Sequence, residues 1–361
     1  MPFDRPQEQV QLAPLSTLGI GGPAQWFARA IRVEHVTAAH DWAEARGVPL
    51  FVLGGGSNLV ISDEGFNGLV LQVGIAGVDA APAGEDMIVT AGAGEPWDAL
   101  VEFAVNRELA GIECLSGIPG TVGGTPIQNV GAYGQEVANV IDSVYVFDRA
   151  KRCAVVIRAA DCGFAYRTSR FKHDDAGRFV VHQVRFKLRP GGAPTIAYPD
   201  LIDDLRRDGV AAPSLRDVRE SILRIRRRKG MVIDAQDPDT RSVGSFFMNP
   251  VVDRAVLDRI AASQPGTRVP HFLMQNGQVK IPAAWLIERA GFACGHVDGA
   301  VGLSTKHPLA IINRGGATAR DVLRLARRIA ASVRDGFGVA IHPEPVFVGL
   351  AGDANVEYLS R

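Results

Sequence analysis

The chain has 361 residues, which is long enough for two or three domains of ordinary size. It is 47% hydrophobic and 22% charged, so it can bury hydrophobic cores and does not have the composition of a disordered protein. Lys and Arg together number 39, as do Asp and Glu, so the basic excess typical of a nucleic-acid-binding protein is absent.

The cysteines, the histidines and the N-terminus bear on whether the protein is disulfide-bonded, metal-binding or membrane-bound. The four cysteines, Cys114, Cys153, Cys162 and Cys294, form no CxxC pair and match no zinc spacing, which favours free thiols in a reducing compartment. The eight histidines show no ligand spacing either, so we predict no metal site. No run of about 18 apolar residues occurs, and no apolar segment follows Met1. We therefore predict a cytoplasmic protein that does not bind a membrane.

The first part of the chain is predicted to be strand-rich α+β. A helix is expected over residues 34–46, with Gly47 after its last turn and a buried strand over 47–53. A second helix is expected over 96–108. Apolar runs at 144–148 and 179–188 predict strands, and the second partly alternates as a half-buried strand does.

The second half is more helical. Ser214 with Asp217, and Thr318 with Asp321, have the spacing of capping boxes and predict two helix starts. After Thr318 the apolar residues lie on one helical face, and Gly336 is expected to end that helix. A domain boundary is expected near 205–215, and a final strand over 339–348.

A glycine turn at Gly54–Asn58 is the first candidate for a ligand site. Consecutive glycines let backbone N–H groups converge on an anion, and Ser57 and Asn58 add side-chain donors. The Leu-Val-Ile that follows predicts a strand, whereas the Rossmann and P-loop motifs both open a helix, so neither motif is indicated. Taken alone, a Gly-Gly-Gly sequence is also typical of an ordinary turn.

A second glycine segment, residues 116–136, is more informative. It contains six glycines and two prolines between apolar residues. A long irregular segment in a compact domain is usually functional or disordered, and the apolar residues argue against disorder. A backbone that lies close against a large flat ligand requires this composition.

Six separated motifs, taken in order, resemble the UDP-N-acetylenolpyruvoylglucosamine reductase family over nearly the whole chain. That family has the FAD-binding fold of p-cresol methylhydroxylase and vanillyl-alcohol oxidase. Tyr198-Pro199-Asp200-Leu201 is similar to the substrate-loop tyrosine of one subtype. The six motifs are Thr17–Ala24, Gly54–Asn58, Ser116–Glu136, Tyr166–Lys172, Gly244–Pro250 and Pro343–Gly349.

The resemblance implies an α+β fold in which an FAD-binding region is joined to a C-terminal α+β substrate domain. The FAD-binding region is expected over residues 1–210, with subdomains of about 1–75 and 76–210. The substrate-binding domain is expected over 211–338. Residues 339–361 are expected to form a C-terminal strand that returns toward the FAD region.

The resemblance also implies which residues bind FAD. Gly54–Asn58 would hold the pyrophosphate, and residues 116–133 would line the ribityl and isoalloxazine parts. FAD is expected to be bound non-covalently, because neither glycine segment contains a His or Cys to which it could be attached. The complete set is Gly54, Gly55, Gly56, Ser57, Asn58, Ser116, Ile118, Pro119, Gly120, Gly123, Gly124, Gln128, Asn129, Gly131 and Tyr133.

The implied reaction is the reduction of UDP-N-acetylglucosamine enolpyruvate to UDP-N-acetylmuramate in peptidoglycan precursor synthesis, with NADPH as electron donor and the chain as a monomer. By the resemblance, Arg167, Ser245 and Glu344 are catalytic. Substrate contacts are implied for Tyr198, Lys229 and Asn249, with Arg226 a weaker candidate.

The chemistry of an enolpyruvyl ether explains why these catalytic residue types suit the reaction. Hydride addition at the β-carbon leaves negative charge on the α-carbon and the carboxylate. The planar guanidinium of Arg167 suits that carboxylate bidentately, and Glu344 can stabilise the charge if it is protonated. Ser245 would then act as general acid toward the α-carbon, with Lys229 a candidate to polarise its hydroxyl.

Other interpretations remain open from the residues alone. An oxidase of the same FAD fold, or a nucleotide-sugar-binding protein without activity, would carry similar glycine segments. Taken singly, Arg167 is also typical of a surface ion pair and Ser245 of a turn. The chain departs from the family pattern at Pro345 and Met248, for which we expect tuning of activity and no loss; His342 has a weak claim to a role.

Overall fold

The computed structural model describes residues 5–274 and 276–361. The α-helices in this part of the chain are α1 Val33–Arg46, α2 Trp97–Asn106, α3 Pro199–Arg207, α4 Leu215–Arg228, α5 Arg254–Ser263, α6 Ala283–Arg289, α7 Ala319–Phe337 and α8 Ala354–Leu359. The strands are β1 Gln7–Gln11, β2 Pro23–Ala30, β3 Leu50–Leu53, β4 Leu59–Ile61, β5 Phe66–Val73, β6 Val78–Ala83, β7 Asp86–Gly92, β8 Leu109–Ala110, β9 Gly131–Ala132, β10 Gln135–Glu136, β11 Ile141–Asp148, β12 Cys153–Arg158, β13 Phe179–Pro190, β14 Val251–Val252, β15 Phe272–Leu273, β16 Val279–Lys280, β17 Val297–Asp298, β18 Val301–Leu303, β19 Ile311–Asn313 and β20 Val346–Val348.

The chain forms two compact units, and neither is continuous in sequence. The first unit contains the segments that end at Gln11, run from Pro23 to Gly56, and run from Phe66 to Ile233. The second unit contains Leu12–Gly22, Ser57–Gly65 and the chain from Asp234 onward. The glycine turn at residues 54–58 is therefore divided, with its glycines in the first unit and Ser57 and Asn58 in the second.

The first unit is built on two sheets. One has the order β1-β2-β5-β3, in which β2, β5 and β3 are parallel, and α1 packs on β2 and β5. The other is antiparallel and has the order β12-β11-β13-β7-β6, with β8 also paired to β13. A hydrophobic core joins α1 and α2 to these sheets, and Trp97 is among its largest fully buried side chains.

The second unit is centred on α7. The face of α7 that the apolar spacing predicts is fully buried, and it packs on the short sheet β17-β18-β19. Leu18, Ile20 and Val60 belong to the same core, although they come from the N-terminal part of the sequence. The strand that follows the glycine turn, β4, pairs in parallel with β20.

The elements with strong local signals are confirmed. α1 ends at Arg46, and Gly47 follows it in the left-handed conformation with φ of 63°. Both predicted capping boxes form, at Ser214 with Asp217 and at Thr318 with Asp321. The strand predicted after the glycine turn is β4, as expected.

Some predicted ends are wrong. The strand predicted over 47–53 begins only at Leu50, because Gly47 takes the left-handed conformation that follows α1. The helix α7 does not end at Gly336 but runs on to Phe337, because Gly338, with φ of 64°, is the residue that adopts the left-handed conformation after the last turn. The final strand is limited to Val346–Val348, and does not extend over 339–348. Pro343 and Pro345 lie in the missing part, and proline has no N–H to donate to a strand ladder.

The boundary expected near 205–215 does not coincide with the division between the compact units. Asp204 on α3 accepts hydrogen bonds from Ser221, Arg224 and Arg228 on α4, so these two helices are held together within the first unit. The first unit therefore continues to Ile233. The functional division into an FAD region, a substrate domain and a returning strand stays a prediction.

Candidate active site

The two glycine segments meet within the first unit. A Cβ built on Gly55 would lie 2.6 Å from the Cα of Gly120, and one on Gly54 would lie 3.1 Å from Thr121 Oγ1. Gly56 has φ of 66°, a conformation that glycine adopts without strain. Only residues without a side chain permit this approach of backbone to backbone. Gly54, Gly55 and residues 120–121 consequently form one surface, the glycine surface of the first unit.

Thr121 was not among the predicted binding residues, yet its side chain lies at this contact. Its Oγ1 is buried and has no hydrogen-bond partner among the residues that the structure describes. A buried hydroxyl without a partner costs free energy unless a ligand or water completes it. Its position inside the second glycine segment is the sequence signal that could have identified it.

The side chains of two predicted cofactor residues, Ser116 and Asn129, form hydrogen bonds with other parts of the protein. Ser116 is fully buried, and its hydroxyl donates to the backbone oxygen of Glu113 at 2.6 Å. Asn129 is 1% exposed; its Nδ2 donates to Glu136 and to the backbone oxygen of Ala165. Any contact that these two residues make with a cofactor is therefore left mainly to their backbone.

The remaining predicted cofactor residues differ in the space beside them. Gly123 packs against Ala93, where a Cβ would lie 2.6 Å from the Cβ of Ala93. Gly124, in contrast, faces open space, because a Cβ there would meet nothing within 4 Å among the described residues. Ile118, Pro119 and Gln128 are half-buried. The segment thus has one face packed on the protein and another open to a ligand.

Tyr133 lies at the tip of a two-residue hairpin between β9 and β10. Tyr133 and Gly134 both have positive φ, 49° and 90°, as the tight turn of a two-residue hairpin requires. The Tyr133 ring makes an edge contact with Tyr198, with 5.3 Å between ring centroids. A predicted cofactor residue and a predicted substrate residue are therefore neighbours, and burial raises the pKa of both phenols.

Arg167 is held beside the second glycine segment by a tight turn from Ala165 to Thr168. Its Nη2 donates to the backbone oxygen of Gly131 at 2.8 Å. Ser169, just after the turn, donates to the backbone oxygen of Ile127 at 2.6 Å. Arg167 has φ of 56°, which is strained for any residue other than glycine, and such strain occurs preferentially at functional sites.

The loop that carries Tyr198 is tied to the same segment by a buried carboxylate. Glu113 is fully buried, and its carboxylate accepts hydrogen bonds from the backbone N–H groups of Gly111 and Thr195 and from the side chain of Gln135. Thr195 precedes Tyr198, and Gln135 lies in the hairpin of Tyr133. Glu113 thereby connects the two tyrosine-bearing elements.

Lys229 follows the last turn of α4, and its Nζ lies 2.6 Å from a carboxylate oxygen of Asp200, two residues after Tyr198. Earlier in the same basic run, Arg226 has a buried Nε with no partner among the described residues, 3.5 Å from where a Cβ of Gly117 would lie. These contacts bring both basic side chains to segments that the sequence analysis assigned to ligands.

The backbone of Gly117 is fixed by Asp98. The N–H of Gly117 donates to Asp98 at 2.6 Å, and Arg219 binds the same carboxylate through two nitrogens at 2.6 and 3.0 Å. Burial acts to raise the pKa of Asp98, but the hydrogen bonds from Arg219 and Gly117 outweigh it and lower that pKa below its usual value. This ion pair was not predicted, because its partners are far apart in sequence.

Ser245 and Glu344 belong to the second unit, on two chain segments that run antiparallel beside each other. The N–H of Glu344 donates to the backbone oxygen of Phe246 at 2.8 Å, and Phe247 forms a bridge with Pro343. The adjacent N–H of Met248 donates to the backbone oxygen of His342, whose side chain is exposed. Two of the three predicted catalytic residues are therefore within one small assembly.

Asn58 joins this assembly from the glycine turn. Its Nδ2 donates to the backbone oxygen of Glu344 at 3.3 Å, and its own backbone oxygen accepts from the N–H of Val346 at 3.0 Å. The other predicted residue nearby, Asn249, accepts a hydrogen bond from the N–H of Ala283 and so caps α6. Ser57 is half-buried in the same unit.

All four cysteines are free thiols, as predicted. Cys114 is buried just before the second glycine segment, and burial raises the pKa of its thiol to about 12. Its Sγ donates to the backbone oxygen of Thr195 at 3.2 Å. Among the described residues, no helix has both the length and the hydrophobicity that crossing a bilayer requires.

The sequence is similar to known protein families and to known reductases. Residues 236–348 match the model of the UDP-N-acetylenolpyruvoylglucosamine reductase C-terminal domain, and residues 24–151 match an FAD binding domain. The UDP-N-acetylenolpyruvoylglucosamine reductase of Thermobifida fusca is 46% identical over 94% of this chain and 97% of its own length. The corresponding reductase of Saccharopolyspora erythraea is 47% identical, and the alignment covers 94% and 95% of the two chains.

A solved structure is similar over the same extent. The crystal structure of UDP-N-acetylenolpyruvylglucosamine reductase from Thermus caldophilus superposes with a TM-score of 0.64 and 26% sequence identity. The match covers 95% of this chain and 99% of the other. The predicted α+β fold with an FAD-binding region is confirmed by these matches.

Proposed function

Because the chain belongs to the UDP-N-acetylenolpyruvoylglucosamine reductase family, we propose that Arg167, Ser245 and Glu344 carry its reaction. The enzyme is an FAD-dependent oxidoreductase that reduces UDP-N-acetylglucosamine enolpyruvate to UDP-N-acetylmuramate in peptidoglycan precursor synthesis. NADPH is the electron donor. The observation that carries this conclusion is 46% identity to a reductase of that name over 94% of the chain.

The residues of the glycine surface fit FAD. Gly54 and Gly55 leave no room for a side chain, Gly124 borders open space, and Thr121 offers a buried hydroxyl without a partner among the described residues. Backbone N–H groups of a glycine turn suit a pyrophosphate, and the hydrogen bond from the Gly117 N–H to Asp98 fixes the backbone of the second glycine segment beside that turn. When it is bound, FAD supplies the hydride that it has taken from NADPH.

Arg167 is assigned to the substrate carboxylate. Its guanidinium is half-buried, and one nitrogen already donates to Gly131, which fixes the direction of the planar group. A guanidinium presents paired N–H donors that match a carboxylate, and it holds its charge at any physiological pH. Arg167 would thus bind the enolpyruvyl carboxylate and stabilise the negative charge that develops when hydride adds to the β-carbon.

Ser245 and Glu344 are assigned to the proton and to the developing charge. Ser245 would donate its hydroxyl proton to the α-carbon, and Glu344, if protonated, would donate a hydrogen bond to the same enolate-like group. The antiparallel pairing of their segments supports this, since it keeps the two backbones adjacent. The contact between Asn58 and Glu344 supports a place for Asn58 beside this pair within the second unit.

Tyr198, Lys229 and Asn249 are assigned to the UDP-sugar. The ion pair between Lys229 and Asp200 supports this grouping, since it keeps the ammonium group beside the loop that carries Tyr198. We assign the chain to the subtype with a substrate-loop tyrosine because Tyr198-Pro199-Asp200-Leu201 is similar to that loop. We further propose that the enzyme is a cytoplasmic monomer, with FAD bound largely by residues 1–210 and the substrate by residues 211–338.

An experiment without oxygen tests whether the enolpyruvyl sugar accepts electrons from the flavin. The purified yellow protein is reduced with NADPH, and UDP-N-acetylglucosamine enolpyruvate is then added without oxygen. Return of the flavin absorbance identifies the sugar as the electron acceptor and supports the proposal. A flavin that stays bleached until air enters would move the function to an oxidase of the same fold.

A further inference from the structure

The segment that leads to Tyr198 has no helix or strand of its own. It runs from the end of β13 at Pro190 to the first residue of α3, Pro199. Across residues 193–197, every hydrogen bond to the rest of the described chain involves Thr195. Because a segment without a ladder or helix is positioned by such contacts, the partners of Thr195 are the main polar restraint on where Tyr198 lies.

All three polar groups of Thr195 are bound by two nearby pieces of chain. Its N–H donates to Oε1 of Glu113 at 2.8 Å, and its backbone oxygen accepts from Sγ of Cys114 at 3.2 Å. Its hydroxyl accepts from Nε2 of Gln135 at 3.1 Å, and the same Nε2 donates to Oε1 of Glu113 at 2.7 Å. Thr195 is therefore held to one carboxylate both directly and through Gln135.

Glu113 is fully buried, and both of its carboxylate oxygens accept hydrogen bonds. Oε1 accepts from Thr195 and Gln135, and Oε2 accepts from the N–H of Gly111 at 2.8 Å. A carboxyl group is rarely buried in full, because removing it from water is costly unless hydrogen bonds replace the lost hydration. A buried polar network whose members all have partners holds the segments that it joins in one arrangement.

The two segments that this network joins carry the two tyrosines. Gln135 lies two residues after Tyr133, and Thr195 lies three residues before Tyr198. The tyrosine rings meet edge to face, with 5.3 Å between their centroids. Tyr198 is 37% exposed, so the packing of its ring alone restrains it little. Its position against Tyr133 consequently depends on the backbone that Thr195 anchors.

We propose that Glu113 is a positioning residue for the UDP-sugar, which fixes Tyr198 in its binding position through Thr195 and Gln135. The inference rests on the proposed function, in which Tyr198 contacts the UDP-sugar. Glu113 itself is fully buried, so it acts through the loop and does not touch the substrate. A loop that is held in place before the ligand arrives loses less conformational entropy on binding. The network should therefore lower the KM for the sugar and leave kcat unchanged.

Steady-state kinetics of the flavin-loaded full-length enzyme tests this, with NADPH saturating and UDP-N-acetylglucosamine enolpyruvate varied. Thr195→Val keeps the shape of the side chain and removes its hydroxyl. It should raise KM roughly three- to tenfold, the effect of losing one hydrogen bond, and leave kcat unchanged. Thr195→Ser restores the hydroxyl and should recover the wild-type KM. Thr37→Val, at a half-buried threonine of α1, is the matched control and should change neither constant.

Two substitutions of Glu113 test the carboxylate itself. Glu113→Leu removes both acceptor oxygens and should raise KM at least tenfold. Glu113→Gln keeps one oxygen that can face Thr195 and Gln135, so it should recover most of the affinity. Stopped-flow reduction of the bound flavin by NADPH should proceed at the wild-type rate in both variants, a result that a general loss of structure would not give. If Glu113→Leu does not fold, Thr195→Val decides.

A double-mutant cycle with Tyr198→Ala shows whether the effect passes through that tyrosine. Tyr198→Ala should raise KM, and adding Thr195→Val to it should raise KM no further. Additive effects would overturn the proposal, as would an unchanged KM in Thr195→Val or in Tyr198→Ala, or a fall in kcat as large as the rise in KM. Each of these results leaves the reductase activity of the wild type in place. A wild-type chain that does not reduce the sugar would instead overturn the proposed function, and this inference with it.

Discussion

Gly55 and Gly120 lie in direct backbone contact, so close that a Cβ on Gly55 would lie 2.6 Å from the Cα of Gly120. Real Cβ atoms essentially never approach a heavy atom to this distance, and here the neighbour is backbone that cannot rotate away. The contact joins two segments that are 65 residues apart in the sequence. The surface assigned to the FAD pyrophosphate therefore depends on glycine at both positions.

We expect Gly55→Ala to bind flavin poorly. The added methyl group must push residue 55 and Gly120 apart, which overpacks the contact and costs about 1–3 kcal/mol of folding free energy. The ratio of flavin to protein absorbance in the purified variant should fall several-fold. Gly336→Ala is the control, because Gly336 lies in α7, where an added Cβ would meet nothing within 4 Å among the described residues. This variant should keep its flavin and gain about 0.5–1 kcal/mol of folding free energy. A yellow, stable Gly55→Ala protein would contradict the assignment.

Ser245→Ala should separate the two half-reactions. Reduction of the flavin by NADPH is expected to proceed as in the wild type, whereas flavin reoxidation by the enolpyruvyl sugar should slow by about 10²–10⁴-fold, the usual contribution of a positioned general acid. Single-turnover stopped-flow absorbance measures both rates. Ser360→Ala, at an exposed serine near the C-terminus, should leave both unchanged. An equal loss in the two half-reactions would remove Ser245 from the proton-donor role.

Glu344→Gln should lower kcat at least 100-fold and change substrate affinity little. The hydrogen bonds that join Glu344 to Phe246 and Asn58 use its main chain, so this substitution leaves them in place while it replaces the acidic group. Steady-state kinetics with a separate measurement of UDP-sugar binding gives the two effects. Glu357→Gln on α8 should behave like the wild type. A pure binding defect in Glu344→Gln would exclude the catalytic assignment.

Asp98→Asn should destabilise the protein in a pH-dependent manner. The pKa of Asp98 is lowered in the folded state, so its contribution is complete above the unfolded pKa of about 3.9 and disappears as the pH falls through the folded value. Because the side chain is 39% exposed, we expect a difference from the wild type of only about 1 kcal/mol at pH 7, shrinking below about pH 4.

Urea denaturation at pH 7 and at pH 3 measures this difference. Asp142→Asn is a matched control, since Asp142 is also 39% exposed but its nearest arginine nitrogen is 3.7 Å away. It should change stability by less than Asp98→Asn at pH 7. A difference for Asp98→Asn that is the same at both pH values would show that the carboxylate charge contributes nothing.

The cysteines should divide into two classes toward a thiol reagent at pH 8. Cys153 and Cys294 are exposed, whereas Cys114 and Cys162 are buried, and burial raises the pKa of each buried thiol to about 12. Since the thiolate is the reactive form, two thiols should react in the native protein and four after denaturation. Rapid reaction of all four without denaturant would contradict the buried positions.

The sequence predicted well those features that depend on neighbouring residues. The capping boxes at Ser214 and Thr318 and the left-handed Gly47 follow from contacts within four residues, so their patterns were sufficient. The end of α7 was misplaced because Gly336 and Gly338 offer the same local signal. The last strand was predicted too long because the residues around Pro343 and Pro345 are apolar, as those of a buried strand are. The prediction did not take into account that neither proline has an N–H group to donate to a strand ladder.

Features that depend on distant residues could not be read in this way. Nothing near Asp98 indicates Arg219, and nothing near Val60 indicates that it joins the core of the second unit. The sequence predicted an ordinary half-buried strand over 179–188, whereas β13 has a bulge at His182, where its pairing with β11 shifts by one residue. Such a bulge depends on the partner strand and not on the residue itself. The site residues were named through the family resemblance, and their individual roles stay predictions.

The division of the glycine turn between the two units has a consequence for the order of synthesis. β4 pairs with β20, and Asn58 contacts Glu344 across 286 residues of sequence. At roughly 5–20 residues per second, a ribosome needs on the order of 15–60 s to make the chain between them. During that interval the newly made β4 has no partner strand, and Val60 has no core to enter. The second unit can therefore be completed only at the end of translation, so a nascent chain released early would expose this apolar strand to chaperones or to aggregation.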